Sequence, residues 1–144
     1  VLLGITVFLI LVFSNNLVTR LREEYVNPKK YPIEAPKYIK ENLNYTNMKI
    51  YNNFNYGSYL EFQGIKAFVD SRSEIFTPQF NDTTILEDWY RTKTGYINYN
   101  DTFEKYGINY ALIENSEIIN TYISVDEKYE KVYEDNTFSI YVKK

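Results

Sequence analysis

The residues best suited to chemistry lie in one stretch, Lys49 to Phe76, with sequence KIYNNFNYGSYLEFQGIKAFVDSRSEIF. It holds a carboxylate, a guanidinium and a second carboxylate at alternating positions: Asp70, Arg72 and Glu74. It also holds three closely spaced amides, Asn52, Asn53 and Asn55. In an open α/β sheet, ligands bind outside the carboxyl ends of the strands. Asn52, Asn53 and Asn55 would leave a first strand at that rim, Asp70 and Arg72 a second, and Glu114 a third. If the three strands are parallel, these groups converge into a polar recognition site, with Asn53, Asn55, Asp70, Arg72 and Glu74 as its contacts. The plainer alternative is structural: Asp70 caps the next turn and pairs with Arg72. Arg72 is one of only four arginines, and apart from Arg91 the only one near this rim.

Other chemistries are excluded or weak. The chain has no Cys, so there is no disulfide and no thiolate nucleophile. It has no His, which removes the commonest general base and the commonest transition-metal ligand. No catalytic residue, metal site or cofactor is assigned. Gly57-Ser58 could open an anion-binding helix start, but a single glycine more often serves a tight strand-to-helix turn. Asn98, Asn100, Thr102 and Glu104 alternate oxygen ligands without the glycine and terminal glutamate of a calcium loop. A net charge of −3 and the lack of a basic stripe argue against nucleic acid.

The elements that must position the rim follow from periodicity. The chain has 144 residues, enough for one domain with a real core. Aromatic residues make up 18%, including 16 Tyr. Residues 1–18, VLLGITVFLILVFSNNLV, are apolar on all faces, with an uninterrupted core of 13 residues from Val1 to Phe13. A full crossing needs roughly 20 apolar residues, so the run reads as the end of a transmembrane helix whose start lies upstream. Residues 19–33 form a basic linker that contains Pro28 and Pro32. Residues 34–144 form an acidic soluble domain, with 12 Lys and Arg against 17 Asp and Glu, leaving −5.

Within that domain, Ala35, Ile39 and Leu43 share one helical face after Pro36. Strands are expected at 48–52, 65–69 and 108–113, and helices at 56–62, from Ile85 to near Gly95, at 100–107 and at 116–122. Thr84 and Glu87 have the spacing of a capping box, and Gly107 is a helix stop. The segments 129–134 and 137–142 form a hairpin around Asp135-Asn136. The expected fold is α/β: a mixed sheet of about five strands with flanking helices and a C-terminal β-hairpin.

At this point a resemblance enters. Pro36, Ile50-Tyr-Asn52, Tyr56-Gly-Ser-Tyr-Leu60, Phe68-Val-Asp-Ser-Arg72, Tyr106-Gly-Ile-Asn-Tyr-Ala-Leu-Ile113 and Val132-Tyr-Glu-Asp135 occur in this order. Together they resemble the C-terminal soluble domain of bacterial polytopic membrane proteins related to lipid-linked-sugar glycosyltransferases of the mannosyltransferase-like type. The resemblance runs from about Pro32 to the end, with Tyr56 where Trp is common and Ser71 where Gly is common. It implies an accessory domain outside the cytoplasm, anchored in the cell membrane bilayer by the N-terminal helix. Such a domain supports a membrane active site or binds an acceptor, a glycan or a lipid-linked sugar. The four cations of the neck would place it in the cytoplasm, but large domains cross regardless of loop charge. A membrane-tethered binding or interaction domain with no enzyme in the same chain is the alternative.

Overall fold

The computed structural model describes residues 4–6, 10–14 and 26–144. The transmembrane reading of residues 1–18 and the linker reading of 19–33 therefore lie partly outside the described residues. Residues 4–6 and 10–14 are helical, with Ile5, Ile10, Leu11 and Phe13 exposed. Among the described residues, no helix is long and apolar enough to cross a membrane.

Helices flank both faces of a four-stranded sheet. In chain order the regular elements are α1 (Ala35–Asn42), β1 (Ile50–Tyr51), α2 (Phe54–Phe62), α3 (Pro78–Asn81), α4 (Ile85–Lys93), α5 (Tyr99–Tyr106), β2 (Tyr110–Glu114), α6 (Ile118–Ile123), β3 (Tyr129–Glu134) and β4 (Phe138–Lys143). The sheet order is β1-β2-β4-β3. β1 and β2 are parallel, and β4 runs antiparallel to both neighbours. The fold class is thus α/β with a mixed sheet, flanking helices and a C-terminal hairpin.

Strand alternation divides the core. Ile50, Leu112, Phe138 and Ile140 face α1 and α2, packing with Ala35, Ile39, Tyr56 and Leu60. Tyr51, Ala111, Ile113 and Tyr141 face the other side, with Trp89, Phe103, Ile119 and Ile123. Both faces of β2 are covered, which is why INYALI reads as a continuous apolar run. A register shift between Lys131 and Tyr133 inserts an extra residue in β3. The inserted residue changes which face the strand presents: Tyr129 packs in one core layer, while Val132 and Tyr133 pack against the other. Tyrosine suits this core because its hydroxyl carries a hydrogen bond inward. Tyr56 donates to Leu112 O at 2.8 Å and Tyr141 to Asn120 Oδ1 at 2.7 Å. Among the described residues, no buried side-chain nitrogen or oxygen lacks a partner.

Four expectations are corrected. The segment 65–69 is not a fifth strand: it runs parallel to β1 but forms a single bridge, Ile50 to Ala67. Side chains take the place of the ladder. Asn52 Oδ1 accepts from Phe68 N–H at 2.7 Å, Asn52 Nδ2 donates to Val69 O at 2.8 Å, and Glu61 Oε1 accepts from Ala67 N–H at 2.9 Å. Second, α2 begins at Phe54 and not at Tyr56, because Asn53 caps it by accepting from Asn55 N–H at 3.1 Å. Third, Gly57 is not a turn residue. It lies inside α2, and a Cβ there would fall 1.9 Å from Val69 O. It is glycine so that the helix can approach the backbone of 69–70. Fourth, Thr84 and Glu87 make no capping box. Thr84 Oγ1 donates to Asp88 Oδ2 at 3.0 Å, and the same carboxylate takes Lys105 Nζ at 2.7 Å and the Tyr106 hydroxyl at 2.6 Å.

Gly107 does end α5, at φ +65°. The hairpin turn also forms, with Asp135 Oδ1 accepting from the N–H groups of Thr137 and Phe138 at 2.8 and 2.7 Å.

Candidate functional site

β1 and β2 end on the same side, so Asn52 and Asn53 emerge beside Glu114. Asn52 is fully buried and holds the rim together. Its side chain binds the 68–69 backbone, and its carbonyl accepts the Trp89 indole N–H at 3.0 Å. One amide thus fixes 65–69 against β1 and ties α4 to both. Asn53 is 2% exposed. Its Oδ1 caps α2, and its Nδ2 donates to Glu114 Oε1 at 3.4 Å and Glu117 Oε1 at 2.5 Å. Two carboxyl groups from the end of β2 therefore share one amide from the end of β1.

Asp70 and Arg72 form the second half. Asp70 Oδ1 accepts the Arg72 backbone N–H at 2.8 Å and Arg72 Nε at 3.0 Å, and the guanidinium Nη2 reaches Asp70 Oδ2. The carboxylate is 2% exposed and the guanidinium side chain 62%. The pair is therefore a buried anion holding an arginine whose remaining donors face water. Ser71 is tied to α2 through Ser58, with the hydroxyls 2.7 Å apart. Hydrogen bonding from Arg72 holds the Asp70 carboxyl below the usual range, against the opposing pull of burial.

The structure thus joins Asn53 to Glu114 and Asp70 to Arg72, but it does not fuse them into one network. No hydrogen bond connects the two groups among the described residues. Asn55 is exposed on the first turn of α2, and Glu74 is exposed on the 3-10 turn Ser73–Phe76. Glu74 contributes its carbonyl, which accepts the Thr77 hydroxyl at 2.8 Å. The turn geometry of Asp70 accounts for its burial, and the Arg72 guanidinium presents its remaining donors to water.

Sequence reasoning missed Glu117 and Trp89. Glu117 follows Glu114 by three residues at the end of β2, a spacing that brings both carboxyls to one amide. Burial pushes the Glu117 carboxyl above its ordinary range; the Asn53 hydrogen bond and nearby Lys93 pull it back, and Glu114 adds to the rise. The same carboxyl, after burial, helps raise the Tyr51 and Tyr56 hydroxyls. Trp89, the single tryptophan, stacks near Phe54 at 5.8 Å with Lys93 Nζ 5.3 Å from its ring centre. An apolar cleft of about 460 Å³ lies beside it, between residues 73–79 and α4, walled by Phe54, Phe76, Pro78, Leu86 and Tyr90.

The rim offers hydrogen-bonding amides, two coupled carboxyls and an outward guanidinium. Among the described residues, no group of three acidic, His or Cys side chains could hold a metal ion.

No family model matches the chain, and no curated protein matches it. Among solved structures, the chain is similar to the C-terminal globular domain of an oligosaccharyltransferase from Archaeoglobus fulgidus. The TM-score is 0.55 at 11% sequence identity, over 78% of this chain and 95% of that domain, which makes the likeness one of fold.

Proposed function

We propose that this chain is an extracytoplasmic accessory domain of a membrane glycosyltransferase-like protein. It supports the membrane active site or binds the acceptor or glycan, and is not itself the catalyst. The observation that carries this reading is the likeness in fold to an oligosaccharyltransferase globular domain. The motif order from Pro36 to Asp135 and the polar rim at the parallel strand ends agree with it. The finer assignment is to the bacterial, mannosyltransferase-like type, anchored in the cell membrane bilayer by the apolar N-terminal segment, residues 1–18. In this reading Arg72, held by Asp70, and the Asn53 amide with Glu114 and Glu117 face the substrate side; Asn55 and Glu74 supply outer polar contacts. No cofactor, metal or nucleic acid takes part.

The test is expression from the native gene with a tag after Lys144. External protease should remove the tag from intact cells. Arg72→Ala and Asn53→Ala should each lower transfer from a lipid-linked sugar without lowering the amount of protein in the membrane. A tag protected from external protease refutes the sidedness. Undisturbed transfer in both variants refutes the role of the rim. If the protein transfers no lipid-linked sugar at all, a tethered binding module is the better reading.

A further inference from the structure

We propose that a second cleft, between the Gly95–Asn100 turn and α6, binds a neutral sugar ring. This deepens the glycan-binding reading and rests on it, but it places the ligand away from the Asn53 and Asp70 rim. The cleft measures about 390 Å³, within the ~300–1,000 Å³ usual for small-molecule sites. Gly95, at φ +75°, and Ile118 both line it, and a Cβ added at Gly95 would lie 3.6 Å from Ile118 Cδ1.

Two tyrosines stand at this cleft with unusual exposure, Tyr96 at 79% and Tyr122 at 55%. Most tyrosine hydroxyls in the core take a hydrogen bond, whereas these two take none among the described residues. A flat ring in water at a concave site offers rigid amphipathic contact area at small entropic cost. The same cleft holds a fixed set of polar atoms. Asp126 is held by the Tyr99 hydroxyl at 2.5 Å, Asn100 Nδ2 at 3.3 Å and the Lys128 N–H at 2.9 Å. Asn98 spends its Oδ1 on Asn100 N–H at 2.9 Å, which leaves its exposed Nδ2 free to donate. A sugar ring has a C–H face for the tyrosines and a hydroxyl edge for an amide donor and a carboxylate acceptor.

Charge narrows the ligand further. The lining holds one carboxylate and no Lys or Arg. A phosphate, a sugar acid or an anionic lipid headgroup would meet the Asp126 carboxylate with no cation in the lining to hold it, Lys128 standing outside the cleft. The cleft also exposes Ile118 at 45% and Val125 at 79%, so a contact between copies of the chain is the competing outcome of the test.

The experiment is a titration of the 15N-labelled chain followed by amide NMR shifts. The probes are methyl α-mannopyranoside, methyl β-glucopyranoside, methyl β-galactopyranoside and N-acetylglucosamine, against glucuronate and glucose phosphate. Shifts should cluster at Tyr96, Asn98, Tyr122 and Asp126 with a neutral probe and be weaker with both anions. Tyr96→Ala and Tyr122→Ala should each weaken binding about tenfold, the effect of roughly 1.4 kcal/mol of lost stacking. Their circular dichroism should match the parent, because both side chains are exposed. Shifts confined to Asn53, Asp70 and Arg72 would overturn the cleft while leaving glycan binding in place. No shift with any neutral probe would overturn the cleft, and the transfer assay above would then decide the accessory role alone. Line broadening at Tyr96 and Tyr122 that depends on protein concentration, without sugar binding, would make the patch a contact between copies and also overturn it.

Discussion

Replacing Gly57 by alanine sets two effects of opposite sign against each other. Gly57 lies inside α2, so helix propensity alone favours alanine by about 1 kcal/mol. Packing opposes it. The added Cβ would sit 1.9 Å from Val69 O, 2.8 Å from the Asp70 Cα and 2.9 Å from the Val69 carbonyl carbon. An ordinary C···O approach is about 3.3 Å, so the 69–70 backbone would have to retreat by roughly 1.4 Å. That backbone is not free to move, since Val69 O accepts from Asn52 Nδ2 at 2.8 Å. Overpacking costs about 1–3 kcal/mol, and a backbone neighbour puts the cost at the upper end. The strained Asn52 hydrogen bond adds about 1 kcal/mol. The net loss is about 3 kcal/mol, or roughly 12 °C in Tm at ~4 °C per kcal/mol for a domain of this size. Thermal unfolding followed by circular dichroism measures it. Gly64→Ala is the control: its φ is +76° with open space around it, so only the left-handed backbone is penalised, by about 1 kcal/mol. A Gly57→Ala variant as stable as the parent, or milder than Gly64→Ala, would refute the close-approach argument.

Three further outcomes follow from the rim. Asn52→Ala leaves the Phe68 N–H and Val69 carbonyl without partners; at about 1–3 kcal/mol each, urea unfolding should show a loss of about 2–6 kcal/mol. Glu117 has a raised carboxyl pKa, so the folded state holds its proton more tightly, and ionisation costs stability as pH rises through the ordinary glutamate range and beyond. Glu117→Gln should therefore match the parent near the acid end of the titration and exceed it in Tm at neutral pH; an equal Tm at both would sink this. Asp70 has a lowered pKa, first from the Arg72 hydrogen bond, so its contribution is present above the ordinary aspartate range and is lost as pH falls through it. Asp70→Asn should lower the unfolding free energy measured in urea at neutral pH by about 1.5–3 kcal/mol, the worth of a hydrogen bond to a charged group, with the gap closing in acid.

Much of the architecture was legible from local rules, because those rules act over a few residues. The Ala35-Ile39 face, the stop at Gly107, the buried run at 110–113 and the Asp135 turn all depend on neighbours close in sequence. The α/β class followed from them. The strand count did not, because Ile65 to Val69 has the composition of a buried strand whether its backbone pairs with β1 or with an amide side chain. Asn52, thirteen residues upstream of Ile65, decided that question. The Thr84–Glu87 spacing fits a capping box, but Lys105 and Tyr106 arrive from α5 and draw Asp88 into the role of local acceptor.

The candidate site divides in the same way. Asp70 and Arg72 are two residues apart, so their pairing was readable as a turn. Asn53 could be read as leaving β1, and parallel pairing with β2 brings Glu114 to it. Glu117 and Trp89 were not readable, because their places depend on how α4 and the end of β2 pack over the rim. Periodicity and composition set most element types, though not that of 65–69, and leave this chain without thiol or imidazole groups. Tertiary structure decided which polar groups meet, why residue 57 has no side chain, and which of the described tyrosines face water. Burial and long-range hydrogen bonding are properties of contacts between segments, and composition alone does not encode which segments touch.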